Sequence, residues 1–187
     1  WYRSRGLGDV YKRQGDIINS SKKLRIIGRA GVGVDNVDVK AATQKGVLVV
    51  NSPGGNTIAA AEHTIAMMLA LSRNIPIANS STFLGKWERK KFVGNELFKK
   101  KLGVVGLGKI GTHVAKVANA LGMDVYGYDP FVSSERAQQL QVRLSELKTL
   151  FEESDYLTLH LPRTSETENL VNMKVLKSMK KNSKLIN

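Results

Sequence analysis

The chain has 187 residues, 42% of them hydrophobic and 24% charged, a composition that buries a core and excludes a disordered tail. With no cysteine, disulfides, thiolate nucleophiles and cysteine-ligated zinc are excluded, and no other metal-ligand set is read. No apolar run reaches the roughly 20 residues of a membrane-spanning helix, and the formal charge of +13 is distributed in a way that argues against a nucleic-acid partner.

The first fourteen residues, WYRSRGLGDVYKRQ, hold Arg3, Arg5, Lys12 and Arg13 against Asp9 without helical or strand periodicity. They lack the apolar stretch of a signal peptide and are expected to be a non-native segment. From Gly15 the pattern is regular. LRIIG (24–28) is an apolar run, DVKAATQKG a short helix capped by Asp38 and stopped at Gly46, and VLVVN (47–51) a second apolar run. SPGGN (52–56) is a turn cluster, after which residues 57–73 have helical composition and are apolar almost all round, so they need cover on several sides.

Beyond WERKKF and Gly94, strands alternate with helices: LGVVG (102–106), a helix over 109–121, VYGYD (125–129), a polar helix from Ser133, the helix SELKTLFEES and the strand YLTLH (156–160). A last helix sets Lys174, Lys177 and Lys181 on one face and Val171, Val175 and Met179 on the other, and KLIN (184–187) begins another strand. The lysines therefore read as a solvated face. This alternation predicts an α/β fold with a doubly wound parallel sheet, and the chain is expected to be cut at both ends.

Two glycine-rich loops compete for a nucleotide. Gly106, Gly108 and Gly111 directly follow an apolar strand and open a helix, and Asp129 ends the next strand roughly 20 residues on, as a dinucleotide site requires. Gly106 allows the tight turn, Gly108 lets backbone approach a pyrophosphate, Gly111 lets the helix pack on the strand, and the helix N-terminus offers N–H groups to phosphate. Asp129 would accept from the adenosine ribose diol. It would repel a 2′-phosphate by roughly 4 kcal/mol for a unit pair at 4 Å and an effective dielectric of 20, which favours NAD over NADP. The earlier loop, Gly28 to Asn36, lacks a long helix at its third glycine. Its N–H groups around Ala30, Gly31 and Val32, beside Arg29, suit a small anion such as a carboxylate or phosphate; Arg29 paired to a surface acid is the plain alternative.

GRAGVGVDNVD, GKWERKKF and LGVVGLGKIGTHVAKVANALGMDVYGYDP together resemble the D-2-hydroxyacid dehydrogenases over about residues 16–187. The resemblance implies a Rossmann-type NAD-binding domain over 54–187, including a dimerisation helix at 57–73, and a partial, flavodoxin-like substrate-binding domain over 15–53. It implies that Lys109 and Ile110 contact the pyrophosphate, Asp129 the ribose, and the His160–Leu161–Pro162 turn the adenine side. Arg29, Ala30, Gly31, Val32 and Asn56 would lie near substrate and nicotinamide, and Arg89 or its lysine neighbours would reach a substrate phosphate, across a dimer. The implied reaction is NAD-dependent oxidation of the C2 alcohol of 3-phosphoglycerate in serine biosynthesis, in a cytoplasmic homodimer or larger homo-oligomer. Glyoxylate or hydroxypyruvate reduction, and an NAD-sensing corepressor of the same fold, are the alternatives. The family's catalytic histidine, glutamate and arginine follow the strand that begins as KLIN. No catalytic residue is therefore assigned to His63, His113 or His160, and the chain alone is expected to be inactive.

Overall fold

The alternating apolar runs form two parallel sheets in the computed structural model, which describes residues 14–187, the side chain of Gln14 excepted. The expectation for residues 1–14 thus lies outside the described residues, but for the backbone of Gln14. Contacts divide the chain into two units, up to Asn56 and from Thr57, so the expected boundary at 53/54 falls in the turn that closes the first.

In the first unit α1 (Gln14–Ser20) precedes β1 (Ile26–Arg29), α2 (Val39–Gln44) and β2 (Leu48–Asn51). The strands pair in parallel from Ile26 opposite Leu48 to Arg29 opposite Asn51. Asp38 caps α2 as expected, one carboxylate oxygen accepting from the Ala41 N–H at 2.9 Å. Ile18, Ala41, Ala42 and Val47 form the core, with Leu24, Ile27 and Val49 against it. The second strand starts one residue later than its apolar run because the Val47 N–H is taken by the Ala42 carbonyl at the end of α2. α1 was not expected: a single buried residue, Ile18, sets no period in a polar stretch.

The second unit is a five-stranded parallel sheet in the order β5 (Arg143–Leu144), β4 (Asp124–Tyr128), β3 (Lys101–Val105), β6 (Tyr156–Leu159), β7 (Lys184–Ile186). Strand order reverses at β3, as in a doubly wound sheet. Period-two alternation sorts the side chains. Leu102, Val104, Val125, Tyr156 and Ile186 face one core with α3 (Thr57–Ser72) and α5 (Lys109–Ala120); Val105 and Leu157 face the other with α7 (Leu147–Glu153) and α8 (Met173–Ser178). Val171, Val175 and Met179 pack against that second core, but only Val175 lies in α8; Val171, Met179 and Lys181 fall outside the helix, which is shorter than expected because Asn172 caps its start and Met179 its end. On α5 the inward positions Ile110, Val114, Val117 and Ala118 recur at helical spacing.

α3 buries Ala61, Thr64, Ile65, Met68 and Ser72, but Ile58, Met67 and Leu71 remain 42–50% exposed, so its own core covers one side only. In this unit two elements escaped the sequence pattern. α4 (Ile75–Phe83) starts after Asn74 in the left-handed region (φ 56°), holds Pro76 in its first turn, where the ring fits, and buries only Ser81. β5 has two residues, too few for a period. α6 (Ser134–Gln139) is capped by the Ser133 hydroxyl, on the Arg136 N–H, where a polar helix was expected.

One buried polar pair links α3 to the sheet. Ser72 and Tyr156 are almost wholly buried, and their hydroxyls lie 2.8 Å apart. Ser72 donates to the Met68 carbonyl at 2.6 Å, so the Tyr156 hydroxyl is the donor between them. Ser72→Ala leaves that phenol without its acceptor and should cost about 1–3 kcal/mol, while adding Tyr156→Phe should recover much of the loss. Urea denaturation of both single variants and the double variant measures this, and additive losses would exclude the coupling.

Candidate functional site

β3 ends at Val105, and the chain turns at Gly106 with φ +91°. A Cβ there would lie 2.6 Å from the His160 carbonyl oxygen, and one on Gly111 would lie 1.9 Å from the Gly106 carbonyl oxygen. Packing of the chain on itself thus demands both glycines. Gly108 differs: with φ −68°, a Cβ on it would meet nothing within 4 Å. As the N-cap of α5 it offers no side-chain bond, so the first-turn N–H groups at Lys109 and Ile110 have no intrahelical acceptor and no cap. A bare helix end beside space that the chain itself leaves open fits a pyrophosphate.

Asp129 stands at the end of β4 beside this loop. One carboxylate oxygen accepts from the Leu107 N–H at 2.8 Å, the other from the Phe131 N–H at 2.9 Å. The carboxylate therefore braces the glycine loop and keeps further lone pairs free to accept from a ligand. Sequence reasoning assigned only the ribose contact. The second half of the brace was readable in Asp129-Pro130-Phe131, a side chain closing a turn on the N–H two residues on.

The third wall is the turn after β6. The His160 N–H donates to the Val105 carbonyl at 2.8 Å, and the His160 ring is 3.0 Å from the hydroxyl of fully buried Thr158. Burial disfavours the charged imidazole and holds it below its usual range. Leu161 and Pro162 continue into a cavity of about 370 Å³, also lined by Leu159, Arg163 and Thr167. Gly106, Gly108, Lys109, Ile110, Gly111, Asp129, His160, Leu161 and Pro162 thus gather at the carboxyl ends of β3, β4 and β6, the location expected of a ligand in such a sheet.

The earlier loop belongs to the first unit and is arranged otherwise. Arg29 folds over its own loop: Nη1 donates to the Gly33 carbonyl and lies 3.3 Å from a carboxylate oxygen of Asp35. The Gly31 N–H, expected to be free for an anion, donates to the Arg29 carbonyl at 2.9 Å, because the turn closes on itself. The Val32 carbonyl accepts from the Asn51 side chain at 2.6 Å. Arg29 Nε and Nη2 make no hydrogen bond to the described residues. Asn56 is exposed at the end of the first unit. Arg89 is exposed on a 3-10 turn, Arg89–Phe92, in the second unit. Beside it Glu88 accepts from the Ser81 hydroxyl at 2.9 Å and from Lys91, which holds its carboxyl below the usual range. This clasp was not read from the sequence.

The family model for the NAD binding domain of the D-isomer specific 2-hydroxyacid dehydrogenases matches residues 65–187. The chain belongs to that family. It is 60% identical to a D-3-phosphoglycerate dehydrogenase of Synechocystis sp. over 171 residues, 91% of this chain and 31% of that protein. It is 56% identical to a D-3-phosphoglycerate dehydrogenase of Archaeoglobus fulgidus over 169 residues, 90% of this chain and 32% of that protein. It therefore spans about a third of the length of the curated relatives it matches. Its fold is similar to that of D-lactate dehydrogenase from Aquifex aeolicus complexed with NAD and lactic acid, with TM-score 0.85 and 32% identity over 95% of this chain and 54% of that one.

The two glycine environments separate fold from ligand. Gly111→Ala should lower the melting temperature, because its Cβ has no room. Gly108→Ala should leave it within the effect of an ordinary surface change, about 0.5 kcal/mol, yet weaken NAD binding at least tenfold. Calorimetric titration and thermal melts of both variants check this, and undiminished NAD affinity in Gly108→Ala would remove the pyrophosphate from that position.

Proposed function

We propose that this dehydrogenase chain binds NAD at the Gly106–Gly111 loop and serves the oxidation of the C2 alcohol of 3-phosphoglycerate to the ketone in the cytoplasm. The observation that carries the reading is the open space at Gly108 against an uncapped helix end, braced from β4 by Asp129. Bound there, the nicotinamide supplies the hydride acceptor. Lys109 and Ile110 hold the pyrophosphate through backbone N–H groups, and Asp129 takes the adenosine ribose and disfavours a 2′-phosphate. The His160–Leu161–Pro162 turn lines the adenine side, and residues 15–53 are the partial substrate domain.

The same reading gives the earlier loop to the substrate. Arg29 offers two unspent N–H directions to its carboxylate, with Ala30, Gly31 and Asn56 beside it, and Arg89 or its lysine neighbours, across a dimer, meet its phosphate. The identity to D-3-phosphoglycerate dehydrogenases, and the cations of the 86–92 segment, favour a phosphorylated 2-hydroxy acid. A chimaera tests this: residues 17–187 replace the matching segment of the Synechocystis relative. With NAD it should oxidise 3-phosphoglycerate within about tenfold of the parent rate. Arg29→Ala in that chimaera should lower kcat/KM by about ten- to a hundredfold, the effect of one charge-assisted hydrogen bond. Preference for an unphosphorylated acid such as D-lactate would overturn the assignment.

A homodimer completes the reading. α3 leaves Ile58, Met67 and Leu71 half exposed, and the chain that follows exposes Ile77, Phe83 and Trp87 by 57–89%, a surface that a second copy would cover. The chain should sediment as a dimer, and Met67→Glu with Leu71→Glu should yield a folded monomer; a monomeric parent chain would refute this.

A further inference from the structure

The end of the five-stranded sheet opposite the glycine loop carries a second cluster of charge. β3, β6 and β7 all begin there, around a cavity of about 210 Å³. Lys100, Lys181 and Lys184 line it, together with Asn95, Asn182 and Ser183. Asp155 is the single carboxylate of the lining, and both its oxygens are engaged, one by the Lys101 N–H at 2.9 Å and one by the Lys180 ammonium at 3.0 Å. Partial burial pushes the Asp155 carboxyl up, but those two bonds outweigh it and hold it below the usual carboxylate range.

The lysines are left in surplus. Lys184 Nζ meets only the Asn182 carbonyl, at 2.6 Å, and the ammonium groups of Lys100 and Lys181 make no hydrogen bond or ion pair with the described residues. Three lysines therefore line a concave site whose one acid is already matched by a fourth lysine. Like charges so arranged repel one another, and an anion between them removes the repulsion while gaining charge-assisted hydrogen bonds. The side-chain amides of Asn95 and Asn182 and the Ser183 hydroxyl add neutral donors suited to the remaining oxygens. The volume gives room for a phosphate group on a small carbon skeleton.

We propose that this cavity is a binding site for a small phosphate-bearing anion, separate from the dinucleotide loop at the opposite ends of the same strands. Tyr156 also lines it and hydrogen-bonds Ser72, so an occupant touches a residue that anchors α3 to the sheet.

The test is a titration of inorganic phosphate into the ¹⁵N-labelled chain saturated with NAD, followed residue by residue by NMR against sodium chloride of equal ionic strength. Saturable shifts are expected at the amides of Asn182, Ser183 and Lys184. The double variant Lys100→Gln, Lys181→Gln should weaken the apparent affinity at least tenfold. Lys174→Gln with Lys177→Gln, which removes the same charge from the exposed face of α8, should leave it unchanged. Shifts confined to Leu107–Ile110, non-saturable shifts at 182–184, or equal weakening in both double variants would overturn the site. Should the first double variant lose its fold, the map on the parent chain decides by itself.

Discussion

The close approach of α5 to the ends of β3 and β6 is the constraint on which the cofactor site depends. A Cβ at Gly111 would lie 1.9 Å from the Gly106 carbonyl oxygen, and one at Gly106 would lie 2.6 Å from that of His160. Both side chains are missing, so the helix end, the glycine turn and the strand after it meet backbone to backbone. That contact aims the first-turn N–H groups of α5 into open space at Gly108. The same device recurs on the other face of β3, where a Cβ at Gly103 would lie 2.5 Å from the Ser154 hydroxyl and would force α7 away from the sheet. The strand at the point of reversal therefore has a glycine on one helix-facing side and a glycine turn at its end, while Leu102 and Val104 fill the remaining face.

Charge is divided between the two ends of that sheet. At the carboxyl ends stand an uncapped helix N-terminus and Asp129, whose carboxylate is committed to two backbone N–H groups before any ligand arrives. Such prior commitment fixes the loop in a binding geometry and lowers the ordering cost of association. At the opposite end Asp155 is likewise committed, to Lys101 and Lys180, but more lysines surround it than it can match. One acid therefore shapes a loop, and the other leaves positive potential unbalanced.

The strands of the sheet were legible because period-two and continuous apolar runs survive in LGVVG, VYGYD and YLTLH, and the dinucleotide loop was legible because glycine spacing has a steric cause. Boundaries shifted where local bonds intervened: Val47 is tied to α2 and starts no strand, and the Asn172 side chain caps α8, which begins at Met173. α4 and β5 were not legible, since one buries a single serine and the other is two residues long. At the site, residue types and spacing located Gly106, Gly108, Gly111 and Asp129. They could not reveal that Asp129 also holds Leu107, or that Glu88 clasps Ser81 and Lys91, because these bonds are set by tertiary approach and by turn geometry.

Arg29 shows how magnitudes decide between two readings of one contact. Its Nη1 is occupied by the Gly33 carbonyl and by Asp35, which taken alone is the bland reading of a surface pair. The Asp35 side chain is 81% exposed, and an ion pair of that kind is worth about 0–1 kcal/mol. A charge-assisted hydrogen bond to a bound carboxylate is worth about 1.5–3 kcal/mol, and it can form at Nε and Nη2 without breaking the bond to Gly33. The intraloop pair thus does not compete with an anion for the guanidinium. It holds the planar group over Gly31, where a Cβ would approach Arg29 Nε to 3.3 Å, and so keeps the free edge of the guanidinium in a single orientation.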